Sequence, residues 1–101
     1  MKVLITMNYR SYKMLTVYSK HNCPYCEKAK QLLRNKNINY EVLMIDEDPD
    51  AREWLIAQGH RTAPQIYQNG KLFVEGGYQG LAKLSDEELF NKLEGFSNVS
   101  D

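Results

Sequence analysis

The stretch from Met14 to Ile45 constrains the fold more than any other. "MLTVYS" (14–19) is a short, apolar, β-branched run and reads as a strand. "PYCEKAKQLLRNKN" (24–37) is rich in helix formers and opens on Pro24, which suits the first helical position. "YEVLMI" (40–45) reads as a second strand, apolar enough to be buried on both faces. Two strands flanking one helical crossover should be parallel, with a right-handed connection. A second helix is expected over "DPDAREWLIAQG" (48–59), with acids in its first turn and Gly59 as its stop. "PQIYQNGKLFVEGG" (64–77) reads as an antiparallel hairpin, because Asn69-Gly70 suits a two-residue type I′ turn. Helix resumes after Gly76-Gly77, and Ser85 with Glu88 forms a capping box for the last helix. The expected class is α/β: a four-stranded mixed sheet flanked by helices.

The length of 101 residues suggests one domain, with 14–94 as its body. Residues 1–13 do not fit the plan. They are expected to be a disordered extension or an extra edge strand built from "VLIT", and 95–101 a frayed tail. Thirteen basic residues balance thirteen acidic ones, so nothing calls for nucleic acid or a membrane surface. No apolar run approaches the roughly 18 residues of a membrane span, and no small-residue cleavage site follows the apolar start. A cytoplasmic protein is expected. The charge is uneven along the chain: Lys20, Lys28, Lys30, Arg34 and Lys36 dominate 20–36, and acids dominate 41–53. Solvated helix faces are the simplest reading of both runs.

The chain has two cysteines, Cys23 and Cys26, separated by Pro24 and Tyr25. A permanent staple is disfavoured in a reducing compartment, and so short a loop would remove little chain entropy. A zinc site needs about four ligands, so His21 and His60 would have to converge on the pair. Haem attachment needs His directly after the second cysteine, where Glu27 stands. A C-x-x-C pair at a helix start after a strand fits a redox couple. Cys23 is expected as the N-cap, where the first backbone N–H groups and the positive helix end favour thiolate. Lys20 adds charge. A thiol of pKa about 8.5 is roughly 3% thiolate at pH 7, and one lowered to about 6 is about 90%. Cys26, one turn in, is placed to attack Cys23 once that sulfur carries a mixed disulfide. No metal is expected.

Cys-Pro-Tyr-Cys at 23–26, within "VYSKHNCPYC", resembles the active-site signature of the glutaredoxins. "TAPQIY" (62–67) is similar to the family's Thr-Val-Pro segment, and Gly76-Gly77 to its paired glycines. The resemblance covers about 14–94 and implies a thioredoxin-like fold and a glutathione-dependent thiol–disulfide oxidoreductase. Cys23 would attack a protein disulfide or glutathione mixed disulfide, and Cys26 would resolve it. Glutathione would be held by Lys20, Tyr25, Arg61, Thr62, Ala63, Pro64, Gly76, Gly77, Tyr78 and Gln79. Pro64 would be cis, presenting the Ala63 backbone to the ligand's cysteine. Partners would be glutathione and disulfide-bearing or glutathionylated proteins, with ribonucleotide reductase a plausible client and a monomer expected. The chain departs from the pattern at two places. His60 stands where Gln or Arg often meets the glycine carboxylate, and Gln79-Gly80 stand where an Asp usually meets the ligand's ammonium. The missing Asp admits one alternative, a donor reduced by thioredoxin reductase; the resemblance admits another, an iron–sulfur cluster carrier, which Pro24 disfavours.

Overall fold

The computed structural model describes residues 14–98, with side chains to 94. The expectations for 1–13 and 99–101 fall outside the described residues. The elements run β1 (Leu15–Ser19), α1 (Pro24–Asn35), β2 (Tyr40–Met44), α2 (Pro49–Ala57), β3 (Gln65–Gln68), β4 (Lys71–Val74), α3 (Tyr78–Ala82) and α4 (Asp86–Asn98). Helix α4 thus continues into the stretch expected as a tail. The sheet order is β2-β1-β3-β4. β1 pairs in parallel with β2, from Leu15↔Tyr40 to Ser19↔Met44, and antiparallel with β3. β3 and β4 are antiparallel neighbours. Asn69 and Gly70 both take positive φ, 54° and 79°, as a type I′ turn requires.

Side-chain alternation along β1 divides the core in two. Leu15 and Val17 face α1 and α4, packing with Ile66, Phe73, Ala29, Leu33, Leu89 and Leu93. Tyr18 faces the other way, onto Ala51, Leu55 and Tyr67. Trp54 closes that second cluster, stacked on Tyr18 at 5.4 Å and 14°. A fully buried leucine such as Leu33 contributes about 1.5–3 kcal/mol of transfer free energy.

One expectation is corrected. Among the described residues β2 is an edge strand, and none of its five residues is fully buried. A run of apolar residues reports burial potential but not how many neighbours a strand has. Here α2 covers one face only, and Glu41 reaches out to accept a hydrogen bond from Thr16 at 3.0 Å.

The helix ends follow local chemistry. Asp48 caps α2 by accepting from the N–H groups of Asp50 and Ala51 at 3.1 and 3.2 Å. At α4 the Ser85 N–H donates to Glu88 Oε1 at 2.9 Å and the Glu88 N–H donates to Ser85 Oγ at 3.1 Å, a reciprocal capping box. Cys23 caps α1 with its sulfur, which puts the redox pair where β1 hands over to the helix.

Candidate active site

Cys23 has extended backbone (φ −128°, ψ 95°) and Pro24 opens the helix behind it. The Cys26 N–H donates to Cys23 Sγ at 3.2 Å. That donor would otherwise be unsatisfied at a helix start, and its partial positive charge favours a thiolate on Cys23 once the pair is reduced. The two sulfurs are bonded to each other, with Cα atoms 5.2 Å apart. Their access differs. Cys23 keeps 8% of its surface and Cys26 keeps none, so a substrate sulfur can reach only the first.

Opposite Cys23 stands the loop before β3. The Ala63–Pro64 bond is cis, as expected. The Ala63 carbonyl oxygen lies 3.8 Å from Cys23 Sγ. Gln65, a residue the sequence reading did not single out, steadies this loop. Its Nε2 donates to the Thr62 carbonyl at 3.1 Å and lies 3.2 Å from Thr62 Oγ1. The third wall comes from the turn before α3. Gly77 sits at φ 57°, ψ −125°, and a Cβ there would run into the Pro64 carbonyl. Only glycine lets the two loops approach so closely.

The result is a groove of about 350 Å³ lined by Tyr25, Thr62, Ala63, Pro64, Gln65, Gly76, Tyr78 and Gln79. Tyr25 and Tyr78 stack at 6.0 Å and 23°, forming one side of it. Seven of the ten expected ligand residues therefore come together, and Gly77 is buried behind them. Two do not line the groove. Lys20 is exposed at the end of β1, and Arg61 lines a separate cavity with Arg52 and Ile56 of α2. His60 also turns away, its Nε2 lying 2.7 Å from the Tyr67 hydroxyl. The two histidines do not converge on the cysteines. Among the described residues no three His, Cys, Asp or Glu side chains are placed to share a metal ion.

His21, two residues before the nucleophile position, clamps the loop ahead of Cys23 to the turn after β2. Its backbone N–H donates to Asp46 Oδ2 at 2.9 Å, and its Nδ1 lies 2.9 Å from the same oxygen. Its Nε2 is 3.3 Å from Glu47. The bond to Asp46 raises the His21 pKa above 6.5, while the His21 backbone N–H chiefly holds Asp46 below 3.8. The clamp's contribution to stability is thus complete between about pH 4 and 6.5. The part due to the imidazolium is lost above that window as pH climbs through the raised His21 value, and the whole is lost below it as pH falls through the depressed Asp46 value. Urea midpoints at pH 6 and pH 8.5 check this. The wild type should lose more stability over that interval than His21→Gln, and added salt should shrink the difference. Equal losses would remove the linkage.

The glutaredoxin family model matches residues 15–73. Over 72 residues the chain is 39% identical to the glutaredoxin-like protein NrdH of Lactococcus lactis, spanning 71% of this chain and all of that one. The buckwheat glutaredoxin–glutathione complex superposes with a TM-score of 0.65 at 25% identity, over 91% of this chain and 89% of that one. The NrdH-redoxin of Escherichia coli, described as having a thioredoxin-like activity profile, gives 0.52 at 31% identity, over 54% and 71%. Four strands in this order, a Cys-Pro-Tyr-Cys helix cap and a matched span of well over half the chain lead to one conclusion: the chain belongs to the glutaredoxin family.

Proposed function

We propose that this protein is a cytoplasmic, monomeric, glutathione-dependent oxidoreductase that reduces protein disulfides and glutathione mixed disulfides. The observation that carries the reading is Cys23, the less buried of the pair, beside the Ala63 carbonyl that lines a groove of about 350 Å³, with a fully buried Cys26 behind it. In the monothiol route the Cys23 thiolate attacks the glutathione sulfur of a mixed disulfide. The protein thiolate leaves and takes a proton from water, and glutathione resides on Cys23. A second glutathione thiolate then displaces it, releasing oxidised glutathione and restoring Cys23. In the dithiol route Cys23 attacks a protein disulfide and Cys26 displaces the bound cysteine. The protein leaves with two thiols, and two glutathiones return the two electrons to the Cys23–Cys26 pair. Tyr25, Thr62, Ala63, Pro64, Gly76, Gly77, Tyr78 and Gln79 shape the site for glutathione. Lys20 and Arg61 lie outside the groove and would act on its carboxylates at longer range.

A second reading rests on Gln79 and on the likeness to NrdH. With no acid to meet the ligand's ammonium, thioredoxin reductase would supply the electrons instead, with ribonucleotide reductase as client. Two coupled assays separate the readings: turnover of a glutathionylated substrate with glutathione as sole reductant, and turnover with thioredoxin reductase alone. Failure of the first with success of the second would overturn the first reading. An acid can be restored at one position only. A Cβ at Gly80 would collide with the Glu75 carbonyl, whereas Gln79 is exposed and lines the groove. Gln79→Asp should therefore lower the KM for glutathione by about twofold to fivefold, as befits one screened charge pair. An unchanged KM would place the ammonium elsewhere.

A further inference from the structure

A second groove adjoins the first and shares Tyr78 with it. It measures about 830 Å³ and runs between α1 and α4. Lys28, Gln31, Leu32 and Asn35 line it from α1, and Phe90 from α4. Those α1 positions recur at three- and four-residue spacing, so they form one stripe that begins a turn beyond Tyr25.

The charges along it are unevenly satisfied. Glu27 is held by Lys30 at 2.8 Å, and Lys36 is paired with Asp86. Lys28 meets only ring faces among the described residues, its Nζ lying 5.5 and 5.9 Å from the centroids of Tyr25 and Tyr78. The groove's uncompensated charge is therefore positive, and it lies over the two rings that wall the first groove. Farther along, Leu32 is half-buried and Phe90 is 44% exposed, an apolar site facing solvent.

We propose that this groove docks an extended segment of the disulfide client, carrying an acidic residue and, two positions farther from its reacting cysteine, an apolar one. The proposal rests on the reading above that protein disulfides are substrates. The spacing of the two side chains comes from two rises. Lys28 and Leu32 stand one turn apart on one face of α1, about 6 Å at 1.5 Å per residue. An extended segment covers about 6.6 Å in two residues at about 3.3 Å per residue. At 100° per residue Cys23 lies about 140° around the helix axis from Lys28, so the linker from the reacting cysteine to the acid crosses the helix end and is longer than the rise of about 7.5 Å alone. Residues two apart share one face of an extended chain, so both side chains turn toward α1 together. The acid meets Lys28 and the apolar residue meets Leu32 and Phe90.

The test uses the full chain, pre-reduced, in single turnover, so that it does not depend on which reductant serves in the cell. The probes are symmetric disulfides of Cys-(Gly)n-Glu-Gly-Leu and Cys-(Gly)n-Lys-Gly-Ser, with n from one to four, each also made in reverse order, so that whichever sulfur Cys23 attacks carries the segment. Cystine is the reference. In one of the two chain directions, and at one linker length, the acidic–apolar peptide should react about five to ten times faster than the basic one. Lys28→Glu should invert the preference for acid over base, and Phe90→Ser should remove the part due to leucine. Because each readout is a ratio within one variant, a general loss of folding or of intrinsic reactivity cancels. Equal rate constants for both peptides in both directions and at every linker length would overturn the docking proposal and leave the proposed function intact. No reaction with any probe, the reference included, would overturn that function and the docking proposal with it.

Discussion

Cys23→Ser should abolish every thiol–disulfide activity of this protein, whereas Cys26→Ser should abolish only the dithiol reactions. The asymmetry follows from access. Cys23 carries the only sulfur of the pair that a substrate can approach, and the Cys26 N–H at 3.2 Å stabilises negative charge on it. A serine hydroxyl at position 23 is not ionised near neutral pH, so attack stops at the first step. Cys26 has no exposed surface and is needed only to displace a bound substrate from Cys23. With serine at 26, glutathionylated substrates should still be turned over within severalfold of the wild-type rate, since a second glutathione replaces the internal thiol. Reduction of an insulin-type protein disulfide should fall to background. Alkylation of the Cys26→Ser protein by iodoacetamide across pH should show a midpoint well below about 8.5 for the remaining thiol. A reversed pattern between the two variants would exchange the roles, and a midpoint near 8.5 would remove the activating effect assigned to the helix start.

Much of this site is written in local sequence, and the part that is not has a common cause. Pro24 after a β-branched run marks the start of α1, Asn69-Gly70 marks the hairpin, and Ser85 with Glu88 marks the last helix. Each signal acts within four residues, which is the range over which backbone geometry speaks directly. The contacts that hold the loops around Cys23 join distant positions. His21 and Asp46 stand 25 residues apart in the chain, and the parallel register of β1 and β2 brings them together. No spacing rule could have paired them. The family resemblance put Arg61 at the ligand and set His60 apart as a departure from the pattern. Here Arg61 borders the α2 cavity and His60 bonds Tyr67, so a match of position along the loop does not carry a side chain into the groove. The misreading of β2 is of the same kind. Its residues are apolar, but the number of strands beside them is a property of the whole sheet.

Gly77→Ala should damage folding and activity together, and far more than Gly76→Ala. Both glycines have positive φ, at 88° for Gly76 and 57° for Gly77. For Gly76 the added methyl would find its nearest heavy atom 3.5 Å away, an ordinary contact, so its cost is backbone strain alone, about 1–2 kcal/mol. For Gly77 the pairing of φ 57° with ψ −125° already lies outside the left-handed region that other residues visit, and the methyl meets the Pro64 carbonyl. Neither party can yield cheaply, because the obstacle is backbone in the loop that carries Ala63 to Cys23. Strain and collision together should cost about 2–4 kcal/mol in urea denaturation. Any folded fraction must relieve the clash by parting the Pro64 loop from the start of α3, which widens the groove between Thr62 and Tyr78. The expected kinetic signature is a KM for glutathionylated substrate that rises by more than the thiol's own alkylation rate falls, because Cys23 and its Cys26 N–H sit on the other side of the groove. Equal stability losses for the two alanine variants would show that the Gly77–Pro64 approach does not hold the site together.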